Sequence, residues 1–407
     1  MPIIEGIRIK NYGVLKDVTF GYVLSNTAGR PLTSLVTIIG KNGTGKSTFF
    51  DAMGFVADCL RLGVEQSCYE NGRRGFVSLK SKDAEGPIEF EITYRENQNS
   101  RPITYNLAIG NDRFEHPYIE YERLRQRRAG EKYGNSYSFL NIKNGKGEAW
   151  AGEMLEGGVE DAKSTPVNLS DLNMPAITTL GALKEHPRIT KFRNFIQGWY
   201  LSYFSPSEAR DLPLAGPQKH LNKTGSNLSN VIQYMEQLRG KRQMQVILDS
   251  ISKKIPGISN IYTKKMDDGR LLLCFKEKGF ETPHYVQKMS DGTIKLVAYL
   301  VMLEDSEMAP LICLEEPENG LYHNLLTILA AELRKKVIET KSKNQMFITT
   351  HSPFFVNALS PDEVWILEKQ QDGFSAVTRA SELPYVENLA KELPLGDLWY
   401  SEYLERR

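Results

Sequence analysis

Apolar and polar residues alternate with a period of two in several short stretches near the N-terminus, which is the pattern of half-buried strands. The first stretch, IIEGIRIKNYGVLKDVTF, alternates on both sides of Gly13 and predicts a hairpin. A second, SLVTIIG, is short and mostly apolar between turn residues, as in a buried strand. Residues 46–62 then follow a helical pattern. The first sixty or so residues are therefore predicted to form strands and one helix.

Strand-like alternation returns after this helix, in IEFEITYR (88–95) and ITYNLAIG (103–110). These segments predict an antiparallel sheet inserted after the first helix. Residues 141–175 are rich in Gly, Asn, Lys and Glu and show no clear period, so they are predicted to be irregular.

Helical periodicity resumes over residues 189–202 and again over 226–254, where Ser226 is a candidate cap. A strand is predicted in RLLLCFKE, residues 270–277. Together the patterns predict four regions of the chain. They are an N-terminal region of strands and one helix (1–62), a strand-rich insertion with an irregular part (63–188), a region of helices and strands (189–285) and a C-terminal region (286–407).

The turn between the buried strand and the first helix carries the first candidate chemistry. The run VTIIGKNGTGKSTFF satisfies G-x-x-x-x-G-K-[ST] with Gly40, Gly45, Lys46 and Ser47. Glycines let backbone N–H groups point inward, and the helix start adds a positive dipole end, so a polyphosphate fits. Lys46 is expected to bridge the β- and γ-phosphates, and the Ser47 hydroxyl to hold Mg²⁺. We therefore predict ATP and Mg²⁺ as cofactors, with contacts from Asn42, Gly43, Gly45, Lys46, Ser47 and Thr48.

A second candidate motif, PLICLEEPENG, is an apolar run that ends in Glu315 and Glu316. A buried strand with two carboxylates at its end suits Mg²⁺ and a hydrolytic water. We assign Glu315 to the metal and Glu316 to the water. The alternative is that the two glutamates simply end an ordinary strand.

Two further motifs flank this strand in the sequence. KMSDGTIKLV places Ser290, Asp291 and Gly292 before a helical run, which is either an anion site at a helix start or an ordinary helix cap. QMFITTHSPFF is an apolar strand that ends in His351, which is either structural or placed to touch a γ-phosphate.

The composition of the chain limits the partners and the cellular location that we expect. At 407 residues the chain exceeds the usual size of one domain, and its 51 basic and 50 acidic residues give no general attraction to nucleic acid or acidic membranes. The four cysteines have no zinc spacing, which predicts reduced thiols that pack in the core. No window reaches ~18 uninterrupted apolar residues. We expect a soluble, cytoplasmic protein with no membrane partner.

The order of these motifs resembles a known family. The loop with Lys46, MSDGT, LICLEEPENGL and ITTHSPFF resemble the ATP-binding heads of the ABC/SMC/RecF group, and most closely the predicted ATPases called AAA-21. The opening IRIKNYGVLKDVTF is similar to their first strand pair, GSNLSNVIQYMEQL to their helical lid and LGDLWYSEYL to their C-terminal tail. The resemblance covers residues 1–60 and 185–407.

The resemblance implies a two-lobe α/β ATPase head of the P-loop type, with an inserted antiparallel β region and a helical lid. It implies that two heads pair head to tail around ATP. Ser290 and Gly292 of one chain would then reach the γ-phosphate bound by the other, and His351 takes the family's switch-histidine place.

Several residues depart from the family pattern. Glu315 stands where many heads have aspartate, and Asp291 stands where transporter heads have glycine. Tyr322 and His323 replace a frequent His-Pro pair, so no role is transferred to them. The family's glutamine-loop residue is not identified.

Three functions compete. The resemblance implies a bacterial defence or genome-maintenance ATPase, whose pairing holds or releases a nuclease or toxin. Many relatives carry a TOPRIM nuclease in the same chain or in a neighbouring gene. Since this chain leaves no room for one beyond the head, we expect such an effector to be a separate protein.

The second candidate is a DNA-binding repair ATPase resembling RecF, and it depends on the basic stretch YERLRQRRAGEKYG. Its cations, between Tyr121 and Tyr133, suit phosphate contact and base stacking, while a solvated charged loop is the alternative. The cations are Arg123, Arg125, Arg127, Arg128 and Lys132.

The third candidate, the motor of an ABC transporter, is disfavoured by the SMC-like opening, the long insertion and the EEPENG form of the acidic motif. A metabolic kinase is disfavoured further, because phosphoryl transfer in one chain needs neither Ser290 nor His351.

Overall fold

A computed structural model of the chain describes residues 2–126, 136–152, 164–339 and 344–404. The strands are β1 (Ile3–Tyr12), β2 (Leu15–Gly21), β3 (Leu35–Ile39), β4 (Ile88–Arg95), β5 (Ile103–Asn111), β6 (Pro117–Gln126), β7 (Tyr137–Lys143), β8 (Lys146–Trp150), β9 (Ser164–Asn168), β10 (Tyr200–Ser202), β11 (Ile258–Lys265), β12 (Leu271–Glu277), β13 (His284–Tyr285), β14 (Leu311–Glu315), β15 (Gln345–Thr350), β16 (Val364–Lys369) and β17 (Ser375–Arg379). The helices are α1 (Lys46–Leu62), α2 (Val64–Ser67), α3 (Phe76–Leu79), α4 (Ala176–Leu180), α5 (Pro187–Gln197), α6 (Pro206–Ala209), α7 (Leu228–Arg239), α8 (Lys241–Lys253), α9 (Asp291–Leu303), α10 (His323–Arg334), α11 (Pro353–Val356), α12 (Val386–Leu389) and α13 (Leu395–Tyr400).

The described strands form three sheets. An eight-stranded antiparallel sheet has the order β2-β1-β4-β5-β6-β7-β8-β9, so the N-terminal hairpin and the inserted strands share one sheet. A six-stranded sheet has the order β10-β14-β15-β3-β16-β17 and is parallel except for β17. The third sheet contains β11, β12 and β13. The predicted hairpin is confirmed, with Tyr12 opposite Leu15.

The six-stranded sheet separates two hydrophobic cores, because successive residues of a strand face opposite sides. Val36 and Ile38 of β3 pack with α1 and the eight-stranded sheet. Leu35 and Ile39 of the same strand pack with α7, α8, α9 and α10. The predicted two-lobe α/β fold, with an inserted antiparallel region, is therefore confirmed.

The region predicted to be irregular contains strands, and that prediction was wrong for residues 141–150 and 164–168. Asn144 and Gly145 have φ values of 47° and 75° and connect β7 to β8. Two consecutive residues in the left-handed region make the tight turn that favours Asn-Gly in hairpins. The signal was present in the sequence, but the polar composition around it obscured the short strands.

The long helix predicted over residues 226–254 is two helices, α7 and α8, which meet at Gly240 with φ 86°. A left-handed glycine ends a helix, so the chain turns there. Asn227, rather than Ser226, occupies the cap position of α7. The helix predicted over 189–202 ends at Gln197, and its last residues form the buried strand β10.

Predictions for one helix, one strand and the cysteines are also confirmed within the described residues. The helix over 46–62 and the strand over 271–277 are confirmed. All four cysteines are free and buried, as expected for packing residues. None of the described helices has the length and apolar character needed to cross a membrane.

A buried carboxylate ties the eight-stranded sheet to α4. Glu122 of β6 is 1 % exposed and accepts hydrogen bonds from the N–H groups of Ala176 (2.5 Å) and Ile177 (3.0 Å). It also accepts one from the Tyr105 hydroxyl at 3.0 Å. Burial raises the pKa of Glu122 to about 7. The carboxyl group therefore serves as a buried support for the start of this short helix.

Candidate active site

The six-stranded sheet brings motifs from both ends of the chain to one edge. β3 lies between β15 and β16, and β14 lies on the other side of β15. These four strands are parallel, so their carboxyl ends lie at the same edge, where open α/β sheets bind ligands. Gly40 and His351 directly follow β3 and β15, and Glu315 is the last residue of β14, before the turn that begins at Glu316.

Two glycines of the first turn are required by close packing against the C-terminal strands. A Cβ on Gly40 (φ 154°) would lie 2.3 Å from the Leu367 carbonyl oxygen. A Cβ on Gly45 (φ 100°) would lie 2.8 Å from Ser375 Oγ. The Ser375 hydroxyl donates to the Thr44 carbonyl at 2.7 Å. Strands β16 and β17 therefore brace the loop that precedes α1.

Lys46 begins α1 and is only 5 % exposed. Its ammonium donates to the carbonyl oxygens of Gly40 at 2.9 Å and Lys41 at 3.1 Å. Burial lowers the pKa of Lys46, while Glu316 and the neighbouring acids of the turn after β14 raise it. The predicted phosphate-binding cation and the predicted catalytic acids are thus close enough to interact.

The other residues predicted in this loop differ in exposure. Asn42, Gly43 and Ser47 are exposed, and Gly43 has φ 77° with open space beside it. Thr48 is half-buried, and its methyl group packs against the hairpin turn, 2.8 Å from where a Cβ on Gly13 would lie. Thr48 therefore packs against the hairpin turn at Gly13, in addition to the ligand contact predicted for it.

Glu316 is held in a left-handed conformation, with φ 41°. Such a conformation is uncommon outside glycine and persists where the surroundings fix it. Its N–H donates to the Thr349 carbonyl at 3.0 Å, and its carboxylate accepts from Asn319 Nδ2 at 2.9 Å. His351 Nε2 lies 2.7 Å from Glu316 Oε1. The two residues predicted to be catalytic therefore contact each other directly.

A third carboxylate, Glu318, was missed by the sequence analysis. Its Oε1 accepts from the Thr350 hydroxyl at 2.9 Å and from the N–H of His351. Its Oε2 is buried and has no hydrogen-bond partner among the described residues. Burial raises the pKa of Glu318. Glu318 thus fixes the backbone of His351. The only sign of this role in the sequence was the position of Glu318, two residues after Glu316.

A cleft of about 460 Å³ opens beside these acids. Its walls come from the segment after β10, from the start of α9 and from the turn after β14. Tyr203 lines it, and burial raises the pKa of Tyr203 to about 12. The cleft also contacts Glu315, Glu316 and Lys295. Neither Tyr203 nor Lys295 stood out in the sequence, because Tyr203 lies outside the quoted motifs and Lys295 belongs to the helical run that follows Ser290, Asp291 and Gly292.

Ser290 caps α9, as the helix-cap interpretation of this motif predicted. Its Oγ accepts from the Thr293 N–H at 3.2 Å, and Ser290 is exposed. Gly292 is buried, and a Cβ there would lie 2.4 Å from the Gly320 carbonyl oxygen. Asp291 forms an ion pair with Arg210. The exposed cap leaves the start of α9 accessible, and Gly292 packs against the turn that carries Glu316.

The residues present fit a magnesium ion shared with a nucleotide. Among the described residues, no group of three or more His, Cys, Asp or Glu side chains could hold a metal ion alone. Mg²⁺ in nucleotide sites needs only a hydroxyl and one or two carboxylates besides phosphates and water. Ser47 lies in the first turn of α1, which packs against β14, and Glu315 ends β14.

The basic stretch at the end of β6 is a strand where the structure describes it, rather than a loop. Arg123 Nε donates to Ser138 Oγ at 2.6 Å, and Arg125 pairs with Glu91 at 3.5 Å. Arg127, Arg128, Lys132 and Tyr133 lie outside the described residues. The described arginines are thus engaged within the sheet.

The sequence model of one protein family matches residues 35–357, and its description is "AAA domain, putative AbiEii toxin, Type IV TA system". No curated protein matches the chain significantly. Among solved structures, an Smc head bound to the C-terminal winged-helix domain of ScpA is 15 % identical, with 92 % of this chain and 97 % of that chain covered and a TM-score of 0.48. An Smc head with an extended coiled coil, bound to the C-terminal domain of ScpA from Pyrococcus furiosus, is 14 % identical, with 96 % and 100 % covered and a TM-score of 0.49.

Proposed function

The chain belongs to this AAA-domain family, and from that premise we propose that it binds ATP with Mg²⁺ and hydrolyses it. The observation that carries the proposal is the 2.7 Å contact between His351 Nε2 and Glu316 Oε1, at the sheet edge that also carries Lys46. A carboxylate held in this way can orient and polarise an attacking water.

Each residue has a separate task in this proposal. Lys46 binds the β- and γ-phosphates, and the N–H groups of its loop surround them. When bound, Mg²⁺ neutralises developing phosphate charge, and Ser47 and Glu315 hold it. Glu316 orients the water, while His351 contacts the γ-phosphate and fixes the Glu316 carboxylate.

We further propose that two copies of the chain pair head to tail and share each nucleotide. The exposed start of α9 supports this, because beyond the cap that Ser290 provides it has no further task in a one-chain site that already has Lys46, Glu315 and Glu316. N–H groups at a helix start bind anions, so this surface suits the γ-phosphate bound by the other chain.

In the cell, we propose a cytoplasmic motor or sensor whose ATP-dependent pairing holds or releases a separately encoded effector, such as a TOPRIM nuclease. The family description names a putative toxin and a type IV toxin–antitoxin system, which supports the pairing of an ATPase with a toxic effector. We propose bacterial anti-phage defence as the role of that pairing. No contact of the described residues favours the alternative, a RecF-like repair ATPase.

Three variants test the chemistry. Lys46→Ala should abolish ATP binding, because it removes the phosphate-binding cation, whereas Glu316→Gln should keep binding and lose hydrolysis. Glu307→Gln, which alters a carboxylate paired with Lys219 before β14 begins, is the matched control and should behave as the parent. Calorimetry with Mg·ATP and phosphate release are the measurements. Equal loss of binding in the Lys46 and Glu316 variants would remove the catalytic assignment, and a parent without turnover would refute hydrolysis.

A further inference from the structure

Lys295 is a buried cation in a mostly apolar helix. It lies in the second turn of α9 and is 6 % exposed. Its ammonium donates to the carbonyl oxygens of Glu316 at 3.2 Å and Asn319 at 3.1 Å. The Glu316 carbonyl also accepts from the Asn319 N–H at 3.1 Å, so the ammonium adds a charged donor to a turn that is already hydrogen-bonded and stabilises the segment that holds Glu316. Lys295 thus ties α9 to both ends of that turn.

A second contact joins the same two segments. A Cβ on Gly292 would lie 2.4 Å from the Gly320 carbonyl oxygen, so the first turn of α9 packs directly on the end of the turn 316–320. Close packing of this kind transmits displacement, because protein interiors are dense and poorly compressible. Movement of the start of α9 therefore has to be accommodated by the turn.

The charges around Lys295 also favour its position between α9 and the turn 316–320. Burial lowers the pKa of Lys295, while Glu318 and Glu316 raise it. Glu318 in turn accepts from the N–H of His351. The ammonium lies among the groups that set the positions of both the proposed water-orienting acid and its histidine partner.

We propose that Lys295 is a positioning residue that couples the Ser290 end of α9 to the carboxylate of Glu316 in the same chain. The inference rests on the proposed shared site. In that arrangement Ser290 contacts the nucleotide of the partner, whereas Glu316 serves the nucleotide of its own chain. Lys295 therefore links the two sites, and hydrolysis at one depends on occupancy of the other.

The test is Lys295→Met, which keeps the length of the side chain and removes its donors. ATP binding should remain, because the Lys46 loop is untouched, while kcat falls about 10- to 100-fold with KM within about twofold. The parent should show a Hill coefficient above 1, and the variant should lose this cooperativity. Lys295→Arg, which keeps a positive charge and N–H donors at this position, should retain more of the cooperativity and of kcat than Lys295→Met does. Lys254→Met, which removes a lysine paired with Glu332 at 2.9 Å, is the matched control and should be parental.

The outcomes separate this inference from the function on which it rests. A parent without ATP turnover refutes the proposed function and the inference together. A parent that hydrolyses ATP with a Hill coefficient of 1 overturns only the inference, as does parental kcat in Lys295→Met while Glu316→Gln is inactive. An increase in KM alone also overturns it.

If Lys295→Met fails to fold, as judged by circular dichroism, Gly292→Ala tests the second contact between α9 and the turn 316–320. It should lower kcat and cooperativity with binding kept, and parental values there overturn the inference.

Discussion

Nε2 of His351 and Oε1 of Glu316 lie 2.7 Å apart, although their residues follow different strands and are 35 positions apart in the chain (351 − 316). The contact exists because β14 and β15 are parallel neighbours, with Glu315 opposite Thr349. The acid and the histidine therefore form one unit, and a change in either should affect the other.

His351→Ala should lower kcat about 10- to 100-fold with little change in KM, because the Glu316 carboxylate loses one of its two side-chain partners. His351→Gln retains a hydrogen-bond donor and should be affected less. Steady-state phosphate release is the measurement, with His284→Gln in the small third sheet as control. Parental turnover in His351→Ala would show that the pair has no role in the reaction.

A mixing experiment tests the shared site. Lys46→Ala and Ser290→Arg should each be inactive alone. In a mixed head-to-tail dimer, one site joins an intact Lys46 to an intact Ser290 from the other chain. Random exchange makes half of the dimers mixed, so independent sites should recover about a quarter of parental turnover. Coupling through Lys295 lowers this figure, because the second site of the mixed dimer carries both defects.

Sizing of Glu316→Gln with and without ATP accompanies the mixing experiment, since this variant should trap the paired state. No recovery of turnover together with no ATP-dependent association would refute the shared site and the proposed role of Ser290 and Gly292.

The basic stretch on β6 gives a prediction for DNA binding. Arg125 is already paired with Glu91. Arg125→Gln alone should therefore leave the salt dependence of any DNA binding nearly unchanged. If Arg127 and Arg128 contact phosphates, their neutralisation should flatten the slope by about 0.9 per lost duplex contact. Filter binding over a range of salt concentrations measures this. Failure of the parent to bind DNA would instead favour a solvated, charged segment.

Glu122 should make stability depend on pH. Burial raises its pKa from the model-compound value of 4.5 to about 7, so the folded state binds more protons than the unfolded state between these values. The stabilisation is complete below about pH 4.5 and is lost as the pH rises to about 7. Glu122→Gln removes this dependence, and a few kcal/mol are involved, since one pKa unit corresponds to about 1.4 kcal/mol. Urea unfolding at pH 5, 6, 7 and 8 measures it. Parallel curves for the parent and the variant would contradict the role of Glu122.

Much of the candidate site could be located from short motifs, because a glycine-rich loop, paired acids and a strand-end histidine each have a local signature in the sequence. The loop at Lys46 and the acids at Glu315 and Glu316 lie at one sheet edge, as their patterns indicated. Lys295 could not be assigned in this way, since its role depends on contacts between separate segments. For Glu318 the sequence offered only its place two residues after Glu316, and its contacts with Thr350 and His351 were not predictable. The same holds for the bonds from Glu122 to α4, because Ala176 and Ile177 lie 54 and 55 positions further along the chain.

The fold was predicted best where the hydrophobic period is long and uninterrupted, as over residues 46–62. The prediction was wrong where one or two residues with positive φ change the direction of the chain. Gly240 divides a continuous helical pattern into two helices, and Asn144 with Gly145 creates a hairpin in a polar segment. The pairing of β3 with strands from the C-terminal third could not be read from local patterns.

That pairing affects the order in which the protein can be assembled on the ribosome. β3 is synthesised early, yet both of its neighbours, β15 and β16, begin more than 300 residues later, at Gln345 and Val364. The side chain of Gln345 also bonds the N–H and the carbonyl of Ile4 at 2.9 and 3.0 Å. Contacts this distant form late and slow folding. The nucleotide loop therefore acquires its supports only after β15 and β16 have been synthesised, which keeps chains that are shorter than this from presenting a complete site.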